Sequence, residues 1–228
     1  MNYKNTLRAK FIDRPNRFIA NVEMADGTKT VCHVKNTGRC RELLVPGCQV
    51  VLSASDNPAR KTAYDLICAQ KGERLINLDS QAPNAAAAEK LPEIFPGLTY
   101  VKPEFRYGAS RFDFYCRRGS EEIFAEVKGV TLEKSGAVYF PDAPTERGTK
   151  HLRELCRACG EGYRAAVIFI IQMKNVNFFA PNTDTDPIFA KALVDAAAAG
   201  VEIYAYDCIV NDDSMTACDP VKIALSGH

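Results

Sequence analysis

The chain has 228 residues, 46% hydrophobic and 25% charged, with a formal net charge of +1. That composition belongs to a folded globular protein of one long or two short domains, and it excludes a disordered or collagen-like chain. The longest apolar run, Ala165 to Ile171, is far short of the roughly 18–20 residues that span a bilayer, so no membrane role is expected. The opening MNYKNTLRAKF has no apolar stretch and no small-residue cleavage site, so a signal peptide is not expected and the cytosol is the expected compartment. Nine cysteines, an odd number at irregular spacing, point to free thiols in a reducing compartment rather than a disulfide framework.

Residues 1–83 read as short strands divided by turns. Leu7–Asp13 is a strand candidate. Phe18, Ala20, Val22 and Met24 alternate with more polar positions, and Asp26-Gly27 marks a hairpin turn into Thr30–Val34. A short helix is expected at Arg39–Leu44, ended by Pro46-Gly47, followed by strands at Gln49–Ser55, Asp65–Gln70 and Arg74–Leu78. Short strands with one helix and no long periodic run indicate a small all-β barrel of OB-fold type.

Composition changes near Gln81, and residues 84–228 read as α/β. A helix is expected over Asn84–Leu91, capped by Asn84 and stopped before Pro92. Strands follow at Tyr100–Tyr107, Arg111–Arg117 and Ile123–Val130. Next come a helix over about Thr145–Gly160, a buried strand at Arg164–Gln172, a helix at Pro187–Ala199 and a last strand at Val201–Tyr206. Gly160 and Gly200 stand where helix C-termini are expected. This order predicts a mixed sheet flanked by helices.

Charge divides unevenly between the halves. Residues 1–83 hold thirteen Lys/Arg against eight Asp/Glu, whereas residues 84–228 hold sixteen against twenty. The first half is therefore the candidate for docking a polyanion, through Arg14, Arg17, Lys35, Arg39 and Arg41, and the second for holding a cation. Cys156 and Cys159 form a CxxC pair, but a zinc site needs a second pair or histidines at ligand spacing, and the chain has only His33, His151 and His228. An iron–sulfur cluster drawing on Cys116, Cys208 or Cys218 is not favoured by their spacing. With Leu152 and Leu155, Cys156 and Cys159 fall on one helix face, which predicts packing thiols.

Two strands carry charges where apolar residues are expected. In Phe124 to Val130, period-two alternation puts Glu126 and Lys128 on one face. Thirteen residues earlier Asp113 stands between Phe112 and Phe114, which are expected to point together to the opposite face. Such charges are costly unless paired or metal-bound. If the strands are neighbours, joined by the short connection through Gly119, the two carboxylates converge as hard oxygen ligands for Mg²⁺ or Mn²⁺, with Glu104 as an additional ligand. A lysine beside that site serves phosphodiester hydrolysis by orienting a water and stabilising charge in the transition state. The loop from Tyr139 enters a helix whose first turns carry Arg147, Lys150 and His151, a suitable place for phosphate.

The chain resembles the bacterial sugar fermentation stimulation protein family. The matching stretches are Arg17-Phe-Ile-Ala-Asn-Val22, Asn36-Thr-Gly38, Ser55-Asp-Asn57, Tyr107-Gly108, Ser110-Arg-Phe-Asp-Phe114, Glu126-Val-Lys128, Tyr139-Phe-Pro-Asp-Ala143, Thr145-Glu-Arg-Gly148 and His151-Leu-Arg-Glu-Leu155. The resemblance implies a nucleic-acid-binding OB-fold followed by a restriction-endonuclease-like PD-(D/E)xK domain. The motif's acid falls on Asp113 and its ExK on Glu126 and Lys128. The motif's leading proline is absent, since Phe112 precedes Asp113. The resemblance also implies DNA binding and a part in regulating sugar (maltose) metabolism.

Two functions remain open at this level. One is an Mg²⁺-dependent DNA phosphodiesterase, a nuclease acting on single-stranded or duplex DNA. The other is a DNA-binding regulator without cleavage, in which the same residues only grip the backbone. Buried carboxylates favour the first, because they repel phosphate in a pure binder. A sugar enzyme with a carboxylate pair fits poorly in a chain without tryptophan.

Overall fold

Six strands build the first half of the protein: β1 (Thr6–Asp13), β2 (Ile19–Glu23), β3 (Lys29–Val34), β4 (Gln49–Ala54), β5 (Tyr64–Lys71) and β6 (Arg74–Asn77). Their order is β3-β2-β1-β4-β5-β6, and a parallel pairing of β3 with β5, His33 to Asp65 and Val34 to Leu66, closes β1–β5 into a barrel. This is the expected OB-type barrel, with β6 added outside the closure. Ala9, Phe11, Ala20, Val22, Cys32, Val34, Val50, Leu52 and Leu66 fill it. The structure, a computed structural model, describes residues 1–36, 38–57, 59–108 and 110–225. Thr37 of the Asn36–Gly38 motif and His228 lie outside the described residues.

The helix expected at Arg39–Leu44 does not form. Leu43 and Leu44 donate to the Cys40 carbonyl in a single turn that goes no further, because Cys40 has φ of 45° and Pro46 has no N–H to offer. The loop is instead held from within. The Arg14 guanidinium donates to the carbonyls of Arg17, Asn36, Gly38 and Arg39 at 2.6–2.9 Å.

The second half begins with α1 (Ala82–Ile94), continues through β7 (Tyr100–Tyr107), β8 (Ser110–Arg118), β9 (Glu121–Val130), β10 (Leu132–Lys134), β11 (Ala137–Phe140), α2 (Glu146–Gly160), β12 (Arg164–Ile171), β13 (Phe178–Pro181) and α3 (Pro187–Ala198), and ends with β14 (Glu202–Val210) and β15 (Met215–Pro220). A six-stranded mixed sheet runs β15-β14-β12-β9-β8-β7, and β10-β11-β13 make a small second sheet. Within the large sheet β12 lies parallel to both β9 and β14. Helix α1 covers one face, against β9, β12 and β15, while α2 packs on β8, β9 and β12 from the other and carries α3.

Four strands were not foreseen: β10, β11, β13 and β15. They are short or at an edge, and their pairing is long-range, so they leave no periodic signal. Tyr139 and Phe140, expected in a loop, belong to β11, which pairs in parallel with β13. Helix α1 also starts before Asn84, with Gln81 at the N-cap position and Pro83 in the first turn, and runs through Pro92. Gly200 has φ of 95° just past α3, as expected of a helix stop, but after α2 that conformation falls on Gly162 rather than Gly160.

The two halves share one core. A single buried cluster contains Phe11 and Leu66 of the barrel together with Phe112, Leu152 and Phe169. Polar clasps reinforce the junction: Gln172 Nε2 donates to the Asn77 carbonyl and Oδ1 at 3.0 Å, and Asn77 N–H returns a bond to the Gln172 carbonyl. At the termini, Met1 donates to the Met215 carbonyl and Tyr3 N–H to that of Asp213. Glu133, buried at the foot of β10, binds Lys71 of β5 at 2.6 Å and meets Arg74 of β6 at 3.5 Å.

Glu133 generates a stability prediction. Burial alone raises its pKa, but the Lys71 hydrogen bond, the Gly136 N–H and the two cations outweigh burial and hold it below the ordinary glutamate value. Glu133→Gln should lower the unfolding free energy by about 1–3 kcal/mol at neutral pH. The wild-type advantage is present above the ordinary glutamate value and is lost as pH falls through the lowered folded value. Urea titrations at neutral and acidic pH check this; coincident neutral-pH midpoints would show that the clasp contributes nothing.

Candidate metal and phosphodiester site

The hairpin through Gly119 makes β8 and β9 antiparallel neighbours, paired from Arg118–Glu121 up to Phe114–Ala125. Asp113 comes next on β8. Its Oδ2 accepts the Val127 N–H at 2.8 Å, so a side chain stands where a strand carbonyl would otherwise serve. Its Oδ1 accepts from the Asn84 amide of α1 at 2.9 Å. The flanking phenylalanines go to opposite sides: Phe112 to the core under α2 and Phe114 to the core under α1. The expectation that they point together away from Asp113 is therefore corrected, and regular alternation breaks at this residue.

Glu126 lies on the α2 side of β9 and is 3% exposed. Its Oε1 is bonded by both Lys128 Nζ and His151 Nδ1. Its Oε2 is buried with no hydrogen-bond partner among the described residues. Lys128 emerges two residues along β9 on the same face, partly exposed. Burial, and then the charge of Glu126, pushes Asp113 above its ordinary pKa, against the Val127 N–H, the Asn84 amide and the charge of Lys128. Burial acts the same way on Glu126, but bonds and charges from His151 and Lys128 prevail and hold it below its ordinary value. The two carboxylates are thus set apart by their surroundings.

An orphaned buried carboxylate oxygen is expensive, and a hard cation is a ligand that satisfies it. The donor set of Asp113 and Glu126 therefore fits Mg²⁺ or Mn²⁺, which bind through one or two carboxylates and keep their waters. Glu104 does not join them. It is exposed, has φ of 53°, and faces Arg111 at 3.4 Å. Among the described residues, the one group of three potential ligand side chains within reach of one another is Asp207, Cys218 and Asp219. There the Lys174 ammonium already bonds both carboxylates. Cys156 and Cys159 belong to no such group; they are half-buried against the core as packing thiols.

The candidate DNA contacts separate into two clefts. On the barrel, Arg14, Arg17, Arg39 and Arg41 line a cleft of about 530 Å³ floored by Phe11, Leu44 and Pro46. Arg17, Arg39 and Arg41 are exposed there, whereas Arg14 is occupied in holding the loop. Lys35 is outside this cleft, paired at 2.7 Å with buried Asp79. Arg147, Lys150 and His151 line a second cleft of about 490 Å³ with Ser110, Arg111 and Glu146. A third, polar cleft of about 380 Å³ lies between these regions and includes Gly38, Gly129, Asp142 and Thr145.

Asn84 and His151 were missed as partners of the acids. Asn84 shares the buried face of α1 with Ala87 and Leu91, and His151 shares that of α2 with Leu155 and Ala158. A polar residue on a buried helical stripe is the signal that could have found them.

With the geometry in place, the chain can be set beside known proteins. Residues 12–78 match the family model "SfsA N-terminal OB domain", and residues 79–214 match "Sugar fermentation stimulation protein RE domain". The chain belongs to the sugar fermentation stimulation protein family. The homologue of Desulfitobacterium hafniense (strain Y51) is 54% identical over 226 residues, covering 99% of each chain. That of Clostridium beijerinckii is 53% identical over 227 residues, 99% of this chain and all of the relative. A solved structure described as Pyrococcus furiosus SfsA in complex with Ca²⁺ aligns with a TM-score of 0.86 at 28% identity, over 98% of both chains. The family assignment made from the motifs stands, as does the barrel followed by a mixed sheet with helices.

The Asn84 contact yields a prediction. The amide favours ionised Asp113, so Asn84→Ala should raise the Asp113 pKa further above its ordinary value. Carboxyl carbon NMR titration of wild type and variant measures this directly. An unchanged Asp113 titration would exclude the contact in solution.

Proposed function

We propose that the chain is a divalent-cation-dependent DNA phosphodiesterase, with Asp113 and Glu126 holding Mg²⁺ or Mn²⁺ and Lys128 serving the attacking water. The observation that carries this is the buried Oε2 of Glu126, unpartnered among the described residues, beside a second acid and a lysine. The Ca²⁺ in the description of the Pyrococcus furiosus relative supports a family preference for hard cations and oxygen ligands.

When bound, the cation supplies charge stabilisation at the phosphate and lowers the pKa of water. The chain's own groups do the rest. An ammonium has three donors; Lys128 spends one on Glu126 Oε1, leaving others to orient water and meet charge developing on the phosphate. His151 holds the same carboxylate oxygen from α2, fixing the face that Glu126 presents. Asp113 is fixed by α1 and by the β9 backbone.

The clefts support a path for one polyanion. Gly38 borders both the barrel cleft and the junction cleft, and the junction cleft reaches Gly129, next to Lys128. In this proposal Arg17, Arg39 and Arg41 dock the strand, and α2 receives it beside the carboxylates. No helix among the described residues is long and apolar enough to cross a membrane. The nine unpaired thiols fit a cytosolic protein.

Three outcomes are expected. Calorimetry should give a Mn²⁺ isotherm for wild type and Glu104→Gln, and none for Asp113→Asn or Glu126→Gln. In time courses on single-stranded, duplex and branched DNA with Mg²⁺, Mn²⁺ or EDTA, Lys128→Ala should cut the hydrolysis rate by a factor on the order of 10²–10⁴. Its DNA affinity should change by no more than one phosphate contact. Neutralising Arg39 and Arg41 should weaken binding to all sequences alike and reduce the salt slope by about 0.9 per contact on duplex, or about 0.7 on single strands. Salt-dependent binding with no cleavage of any substrate would instead support a DNA-binding regulator.

A further inference from the structure

Ser110 opens β8, three residues before Asp113. The residue is 6% exposed, and its Oγ is buried with no hydrogen-bond partner among the described residues. A hydroxyl stripped of water and given nothing in return is destabilising. It lines the cleft of about 490 Å³ described above, together with three cationic side chains, His151 and the acidic Glu146. Arg111 follows on β8, and Arg147 and Lys150 rise from the first turns of α2. Arg111 pairs with exposed Glu104 at 3.4 Å, a pairing of the weak, solvated kind.

Helix α2 turns its N-terminal end to this cleft, and that end favours an anion. Thr145 caps it through the Gly148 N–H. Glu146, the acidic residue of the first turn, is exposed on the rim. The cleft therefore combines cations, a helix N-terminus and a buried donor that lacks an acceptor. Phosphate oxygens are acceptors of matching charge.

We propose that this cleft is a phosphate subsite, in which Ser110 Oγ, Arg111, Arg147 and Lys150 hold a phosphate flanking the one at Asp113 and Glu126. Its place in catalysis rests on the phosphodiesterase reading; its affinity for phosphate does not. Asp113 follows Ser110 by three steps along the strand, about 10 Å at the usual rise, a span that neighbouring phosphates of one strand can bridge. His151 joins the two places, lining the cleft while bonding Glu126. The phosphate comes either from a strand end, as a monoester, or from within a strand, as a diester.

The test titrates inorganic phosphate into the full chain at fixed pH and follows the His151 ring by NMR, which three histidines in the sequence make tractable. Wild type should show a saturable shift of His151. Ser110→Ala removes an unsatisfied group, so its melting temperature should stay the same or rise, while phosphate affinity falls by roughly tenfold. Arg147→Gln should weaken binding by a similar factor. Oligonucleotides with a 5′-phosphate, a 3′-phosphate or neither then locate the source. A terminal phosphate that adds affinity lost in Ser110→Ala marks an end-binding site, and equal sensitivity without one marks an internal diester. Absence of a saturable His151 shift, or phosphate and oligonucleotide affinities indifferent to Ser110→Ala, overturns the proposal. Cleavage with a phosphate affinity blind to Ser110 sinks the subsite alone; phosphate binding without cleavage sinks the phosphodiesterase alone.

Discussion

Glu126 puts a carboxylate inside a central strand of the sheet, and much of the surrounding structure serves to keep it ionised there. Moving an unpaired carboxylate out of water is prohibitive. Here Lys128 from the same strand and His151 from α2 share one of its oxygens, and their combined pull exceeds the penalty of burial. The other oxygen has no partner among the described residues, so the chain compensates half of the group. Beneath it, Phe124 is packed by the rings of Tyr107, Tyr163, Phe112 and Tyr115 at centroid distances of 4.8–5.5 Å. That aromatic block ties β7, β8, β9 and the turn after α2 together, which limits how far the acids can drift.

The barrel is part of the same construction rather than an appendage. Strand β6, paired to the barrel's β5, leads through Asp79, which bonds Lys35 and the Gln81 N–H, directly into α1. Helix α1 then delivers Asn84 to Asp113. A load on the barrel loop is thus only a few bonded steps from one of the two acids. Gly129 shows how tight this joint is: a Cβ there would lie 2.5 Å from Gln172 Oε1 and 2.7 Å from Pro83 Cγ. Only a residue without a side chain lets β9 pass between the helix start and the clasp that holds the barrel.

Legibility followed the physics of each signal. Residues whose burial is periodic along one element, such as Ala20 and Val22 or the stripe of α2, were readable because a single strand or helix carries the whole pattern. Asp113, Glu126 and Lys128 stood out because charge interrupts an apolar strand. What stayed hidden depends on partners distant in sequence. Strands β10, β11 and β13 exist through one another. The loop after Gly38 is shaped by a guanidinium from Arg14, which looked like a phosphate contact. Lys35 looked equally available, yet it neutralises an aspartate whose burial no local pattern announces. Glu104 sits on the strand preceding that of Asp113, but a left-handed backbone turns it to solvent.

The bonds from Met1 to Met215 and from Tyr3 to Asp213 bear on how the protein is made. The first of these joins residues 214 positions apart. A growing chain emerges amino end first at roughly 5–20 residues per second. The opening segment of the barrel must therefore wait on the order of ten seconds or more for the strand pair it docks against. Until β14 and β15 arrive, Val51 and Ile67 lack the cover of Val210. The nascent barrel is thus an unfinished surface, exposed to chaperones and to association with its neighbours, and its maturation is timed by translation of the other half.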